Sequence, residues 1–191
     1  MSEKVRAGFA LTGSFCTFER AFTAIDKLIS QGYDITPIMS KNASTIDTRF
    51  GKAADHIARL EAMCGRKVIR TIEEAEPLGP KKLLDILVVA PCTANTAAKL
   101  ALGITDTPVT MAVKSHLRNA RPVVIAISTN DALAGNAKNI GHLQNFKNYY
   151  FVPYKQDAPD KKPTSAVADF GRLSETIEQA LAGRQIQPVL I

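Results

Sequence analysis

Short apolar runs alternate along the chain with longer stretches of helical period. Runs at 5–11, 34–39, 85–90, 122–127 and 149–152 are brief, and the middle ones are apolar on both faces. A strand carries such a run when helices cover both sides of its sheet. The helix-period stretches are 18–31, 49–64, 96–102, 107–119, 137–148 and 167–181; Gly32, Gly65, Gly103 and Gly183 stand just past four of them or within a residue or two. Glycine there takes the left-handed geometry that ends a helix. Within 49–64, Phe50, Ala53, Ala54, Ile57, Leu60 and Cys64 recur every three or four residues and form one stripe. The alternation predicts parallel strands joined by crossover helices, hence an α/β fold: a three-layer α/β/α sandwich around a parallel, Rossmann- or flavodoxin-like sheet. Residues 1–183 are expected to form a single domain. The Pro-rich, charged segment 152–165 reads as a surface loop. Residues 184–191 read as a tail that docks on the core or on a neighbouring copy, because 188–191 carry no polar side chain.

Ligands of open parallel sheets gather at the carboxyl ends of the strands. Four such ends here are rich in Ser, Thr and Asn and poor in charge. The first reads LTGSFCTFE, where Gly13 and Ser14, flanked by Thr12 and Thr17, form a small-residue loop at the mouth of a helix. Free amides at that point suit an anion. It is neither common nucleotide loop, since no G-x-G-x-x-G is present and Phe15 stands where a Walker loop needs lysine. The second end, MSKNAST, supplies Ser40, Asn42, Ser44 and Thr45. The third, in DILVVAPCTANTAAKLALGITD, has Pro91 ending the strand and Thr93 or Asn95 capping a helix that starts near Thr96. The fourth, AISTNDALAGN, carries Ser128, Thr129, Asn130 and Asp131. Each alone also reads as an ordinary turn. Together they suit a ligand that needs many neutral hydrogen bonds and one anion site, such as flavin mononucleotide, FMN.

Composition narrows the classes. Hydrophobic residues make up 46% and charged residues 22% of 191, which fits a globular protein and excludes disordered and collagenous chains. The net charge of +6 is dispersed, without basic and aromatic interleaving, so nucleic acid is not an expected partner. No signal peptide or membrane-length apolar run is present, and a cytoplasmic location is expected. Cys16, Cys64 and Cys92 show no C-x-x-C and no histidine at ligand spacing, so free thiols and no metal site are expected. Cys16 and Cys92 fall in the strand-end loops, where a small buried cysteine is commoner than a reactive one. His56 reads as a boundary residue of its helix, His116 and His142 as solvated. Arg49, Arg118 and Arg121 are candidates to clamp a dicarboxylate, each otherwise a surface charge.

The Gly-Ser pair at 13 and 14, APCTANTAAKLA at 90–101 and STNDAL at 128–133 follow the right strands in the right order to resemble a known family. That family comprises flavin-containing cysteine decarboxylases and flavin prenyltransferases, with motifs A-P-A-S-A-N-T-x-A-K-x-A and A-M-N-x-x-M. The resemblance implies an FMN cofactor, with its phosphate and ribityl chain held by Gly13, Ser14, Ser40 and Asn42. It places Pro91, Thr93, Ala94 and Asn95 against flavin and substrate and Asn130 on a substrate carboxylate; Ser128 joins the cofactor set and Arg49 the substrate set. Thr93 replaces a serine, Thr129 and Leu133 replace the two methionines, and Pro77 stands where the decarboxylases place a catalytic histidine. Proline cannot shuttle protons, so cysteine decarboxylation is disfavoured and no catalytic residue is assigned. TRFG at 48–51, EAEPLGPKKLLD at 74–85, RPVVIAISTNDALAGN at 121–136 and the QPVLI ending extend the likeness. They resemble, over essentially the whole chain, one half of a two-chain oxidoreductase of sporulation that acts on a small ring dicarboxylate. NADP is then expected on the other half, since no nicotinamide fingerprint occurs here. Family members assemble with the flavin site at contacts between copies, which implies a homo-oligomer, a trimer or a multiple of trimers. A stand-alone FMN decarboxylase or prenyltransferase and a non-catalytic flavin- or phosphate-binding scaffold are the alternatives.

Overall fold

The computed structural model describes residues 4–191. Its strands are β1 (Arg6–Leu11), β2 (Asp34–Met39), β3 (Ile86–Cys92), β4 (Val123–Thr129), β5 (Tyr149–Phe151), β6 (Tyr154–Gln156) and β7 (Ala166–Ala168). Its helices are α1 (Phe18–Ser30), α2 (Lys41–Thr45), α3 (Ala53–Cys64), α4 (Ile72–Ala75), α5 (Ala94–Ala101), α6 (Pro108–Leu117), α7 (Ala137–Gln144) and α8 (Leu173–Leu181). The strands form one sheet in the order β2-β1-β3-β4-β7-β6, with β5 also paired to β4. β1 to β5 run parallel. Helices α1 and α8 pack together against the sheet, and α5 packs with α6 and α7. Every residue of β3 is buried, as its two-faced apolar sequence requires.

The sheet also has an antiparallel extension. The first half of β4 pairs with β5, while Ser128 and Thr129 at its end pair antiparallel with Val167 and Ala166 of β7, which pairs in turn with β6. The helical reading of 167–181 is therefore corrected at its start. The last residues of β4 present free backbone groups that 166–168 satisfy as a strand. Asp169 then accepts a bond from the Gly171 amide at 2.9 Å, and α8 begins only at Leu173. The expected surface loop likewise contains β6. The tail runs beside that strand: Tyr154 donates its amide to Val189 O at 2.9 Å, and the Ile191 amide returns to Tyr154 O at 3.2 Å.

Helix α3 starts four residues later than its apolar stripe suggests, because Asp47 accepts the Ala53 amide at 2.8 Å and 48–51 close a tight turn. Gly51 has φ 132°, and a Cβ there would meet the His56 ring at 2.7 Å. Both facts require glycine. His56 is not a boundary residue: it is buried, with its ring 5.0 Å from Phe18 and 5.7 Å from Phe22. His116, read as solvated, is wholly buried, its Nε2 3.1 Å from Pro122 O and its Nδ1 without a partner. Its polar neighbours misled the reading, because His116 lies on the buried face of α6 with Val109, Ala112 and Val113. His142 is exposed. Among the described residues no helix is long and apolar enough to cross a membrane, and no group of His, Cys, Asp and Glu could hold a metal.

The core is testable at two points. Burial pushes the His116 imidazole down to about 4 from its ordinary 6.5, so the unfolded chain takes up a proton before the folded one does. Its contribution is complete above about pH 6.5 and is lost towards pH 4, at about 1.4 kcal/mol per pH unit. Urea midpoints measured between pH 7.5 and 5 should fall more steeply for the wild type than for His116→Leu. Gly79→Ala should destabilise by about 2 kcal/mol or more, since the new Cβ would lie 2.2 Å from the Ser115 carbonyl oxygen, a backbone atom that cannot step aside. Thermal melts would register that loss.

Candidate functional site

Because β2, β1, β3 and β4 are adjacent and parallel, their carboxyl ends open on one edge. The chain leaves β1 towards β2 on one side and leaves β3 towards β4 on the other, and the crevice between those departures is where such sheets bind ligands. Thr12, directly after β1, ties the crevice together. Its hydroxyl donates to Pro91 O at 2.7 Å and accepts the Thr93 amide at 2.9 Å, joining the end of β1 to the end of β3. Thr93 Oγ1 lies 3.3 Å from both Thr12 Oγ1 and Thr96 Oγ1, extending a row of hydroxyls into the first turn of α5. Ser14 Oγ sits 2.8 Å from Ser128 Oγ, so the loop after β1 also touches the end of β4. The Ser40 amide donates to Leu11 O at 3.0 Å, and its hydroxyl accepts the Ala43 amide at 3.2 Å, fixing the β2 end and starting α2.

Gly13, Ser14, Ser40, Pro91, Thr93 and Ser128 are thus brought to one rim. A Cβ built on Gly13 would lie 3.7 Å from Phe15 and 3.9 Å from Asn42, which are ordinary contacts, and its φ is not left-handed. Neither packing nor backbone demands glycine there, while its bareness leaves a cradle beside Asn42 and the Ser14 hydroxyl. Ala94 and Asn95 form the first turn of α5, with Asn95 exposed. Asn130 is exposed after β4, pinned by Thr164, whose hydroxyl donates to Asn130 O at 2.6 Å. Ser165 Oγ donates to Thr129 O at 3.3 Å. Arg49 is exposed, its guanidinium lies over Phe50 at 4.9 Å, and no hydrogen bond ties it to the rim.

Three expectations are corrected here. Pro91 does not end its strand; β3 runs on to Cys92 through a cis Ala90–Pro91 bond, with the ladder to β4 shifting register between Val89 and Cys92. A proline, which has no amide to donate, fits an interior strand at such an irregularity. Arg121 does not face the rim. It lies at the opposite, amino edge, where it and Arg6 close on Asp85 at 3.0 and 2.7 Å. Arg118, just past α6, is remote from the rim as well. Burial pushes the Cys92 thiol up to about 12, which removes it as a nucleophile.

The rim carries one acid. Burial works to raise the Asp131 carboxyl, but bonds from Thr129 Oγ1 and Asn136 Nδ2, both at 2.6 Å, outweigh it and hold the group below its ordinary range. Its charge is spent on the turn. Thr12, Thr164 and Ser165 went unassigned in the sequence; Thr12 could have been found as a hydroxyl one step past a buried strand, but the other two reach the rim only through the β6–β7 hairpin. Thr12→Val should preserve shape while stranding the Thr93 amide and the Pro91 carbonyl. A loss of about 2 kcal/mol is expected in urea titrations, and a loss below about 0.5 kcal/mol would refute the tie.

Comparison with known proteins agrees with this geometry. The model of the family described as Flavoprotein matches residues 1–182. The B subunit of dipicolinate synthase from Bacillus subtilis (strain 168) is 47% identical over 97% of this chain and 93% of its own. The crystal structure of the corresponding B subunit from Bacillus halodurans C superposes with a TM-score of 0.90 at 44% identity, covering 98% of this chain and 96% of that one. At 18% identity, Burkholderia xenovorans DmrB, crystallised with FMN, shares the fold with a TM-score of 0.71 over 95% of this chain and 98% of its own. The chain belongs to the flavoprotein family.

Proposed function

We propose that this member of the flavoprotein family is the B subunit of dipicolinate synthase, working with the enzyme's A subunit to convert dihydrodipicolinate to dipicolinate during sporulation. What carries the reading is 47% identity to a protein of that name over nearly the full length of both chains. The rim supports FMN as the cofactor. Gly13 and Ser14, at the mouth of α1, would hold its phosphate, and Ser40 and Asn42 its ribityl chain. Pro91, Thr93, Ala94, Asn95 and Ser128 would meet the ring. Such a group supplies a two-electron acceptor.

The chain's own residues bind and orient. Asn130, fixed by Thr164 and Ser165, offers an amide to one substrate carboxylate. Arg49, exposed and without an ion pair among the described residues, offers its guanidinium to the other. Asp131 is bonded to Thr129 and Asn136, so a dianionic substrate meets hydroxyls and amides in place of a free carboxylate. Aromatisation removes a hydride and a proton from dihydrodipicolinate; in this reading the hydride passes to NADP on the A subunit and the proton to solvent. Ile46 and Phe50, exposed after α2, supply apolar surface for a neighbouring copy. A mass of three chains, or a multiple of three, is expected by light scattering.

The test mixes the two separately purified chains and follows pyridine product by absorbance. Activity should require both, and full activity of the A subunit on its own would end the reading. Ser14→Ala should weaken FMN binding, read from flavin fluorescence, by about tenfold. Asn130→Ala should raise the KM for dihydrodipicolinate by at least that factor.

A further inference from the structure

Beside the rim lies a second concavity that the proposed reaction does not use. It is a cleft of about 500 Å³ between α1, which contributes Arg20, Thr23 and Lys27, and the β6–β7 ribbon with the turn after it, which contributes Lys155, Asp169 and Phe170. That volume is within the range of small-molecule sites. Of the chain's 24 Lys and Arg, eight close on a carboxylate among the described residues. Arg20, Lys27 and Lys155 do not, although all three line the same space.

Positive charges gathered around one concavity repel one another unless an anion lies between them. The cleft's one carboxylate, Asp169, already accepts the Gly171 amide and can offset one charge of the three. The walls are fixed. Lys155 lies opposite Val167 in the antiparallel ladder, and the Asp169 amide donates to Pro153 O at 2.8 Å. Ala24 and Ala168 are buried beneath, and the half-buried Phe170 presents its ring at the edge. An apolar floor with an aromatic edge under a surplus of two positive charges matches a flat ring joined to a dianion.

We propose that this cleft binds the diphosphate of a nucleotide, with the nucleoside against Phe170, apart from the flavin rim. Val167, which lines the cleft, pairs with Ser128 of the rim, so the two sites are neighbours along one strand pair. The diphosphate could belong to a free nucleotide or to the dinucleotide carried by a partner chain, and both offer the same chemistry.

The experiment titrates FMN-saturated protein with ADP, pyrophosphate, adenosine and NADP by calorimetry at low and moderate salt. ADP and pyrophosphate should bind at one site per chain, adenosine should not, and affinity should fall with salt. Arg20→Glu with Lys155→Glu should lower ADP affinity at least tenfold while leaving FMN binding and the melting temperature unchanged. Ser14→Ala should leave ADP affinity untouched, which separates this cleft from the rim even where the flavin reading fails. NADP binding at least as tight as ADP marks the dinucleotide as the source; weaker binding marks a free nucleotide. Absence of ADP and pyrophosphate binding, or binding that the double variant does not alter, overturns the proposal.

Discussion

β1 is paired along both edges by parallel strands, β2 on one side and β3 on the other, and that constraint organises everything at the carboxyl edge. A parallel neighbour needs a crossover, and the chain leaves β1 towards β2 but leaves β3 towards β4, so the two connections diverge from adjacent strand ends. Past Leu11 the backbone is met sideways: Leu11 O accepts the Ser40 amide at 3.0 Å, and the Thr12 amide donates to Pro91 O at 3.3 Å. The Thr12 hydroxyl adds its own bonds to the end of β3. The remainder of the crevice stays open, lined by hydroxyls and amides that the fold itself does not consume.

Charge is distributed between the two edges of the sheet accordingly. At the amino edge Asp85 lies between Arg6 and Arg121, and the Arg6 guanidinium bonded to it, against the opposing effect of burial, holds its carboxyl below the ordinary range. Arg66 closes on Asp34 at the start of β2. These pairs are partly exposed and each contributes little to stability. At the rim itself hydroxyls and amides predominate, and Asp131 is already bonded by Thr129 and Asn136.

Much of this was legible in the sequence. The five parallel strands follow from apolar runs that no solvated surface would carry, and the shared edge follows from their being parallel. Ser14 and Ser128, 114 positions apart, meet because each closely follows such a run or ends it. What the sequence hid depended on long-range pairing. Val167 and Ala168 have the spacing of a helix start, yet the end of β4 draws them, with Ala166, into a strand. His116 sits among polar neighbours, and only the rotation of α6 onto the sheet buries it. Pro91 has the look of a terminator, but β3 accommodates it at a register shift.

The tail beside Tyr154 has a consequence for how the molecule behaves among its copies. β6 is the last strand of the sheet, and an uncovered outer strand offers a row of amides and carbonyls to any passing extended chain. Here Val189 and Ile191 occupy that row with two backbone bonds, and Leu190 bridges to Tyr154 in parallel. The protein therefore caps its own growing end, so that self-association is left to side-chain faces and is kept away from open-ended strand addition.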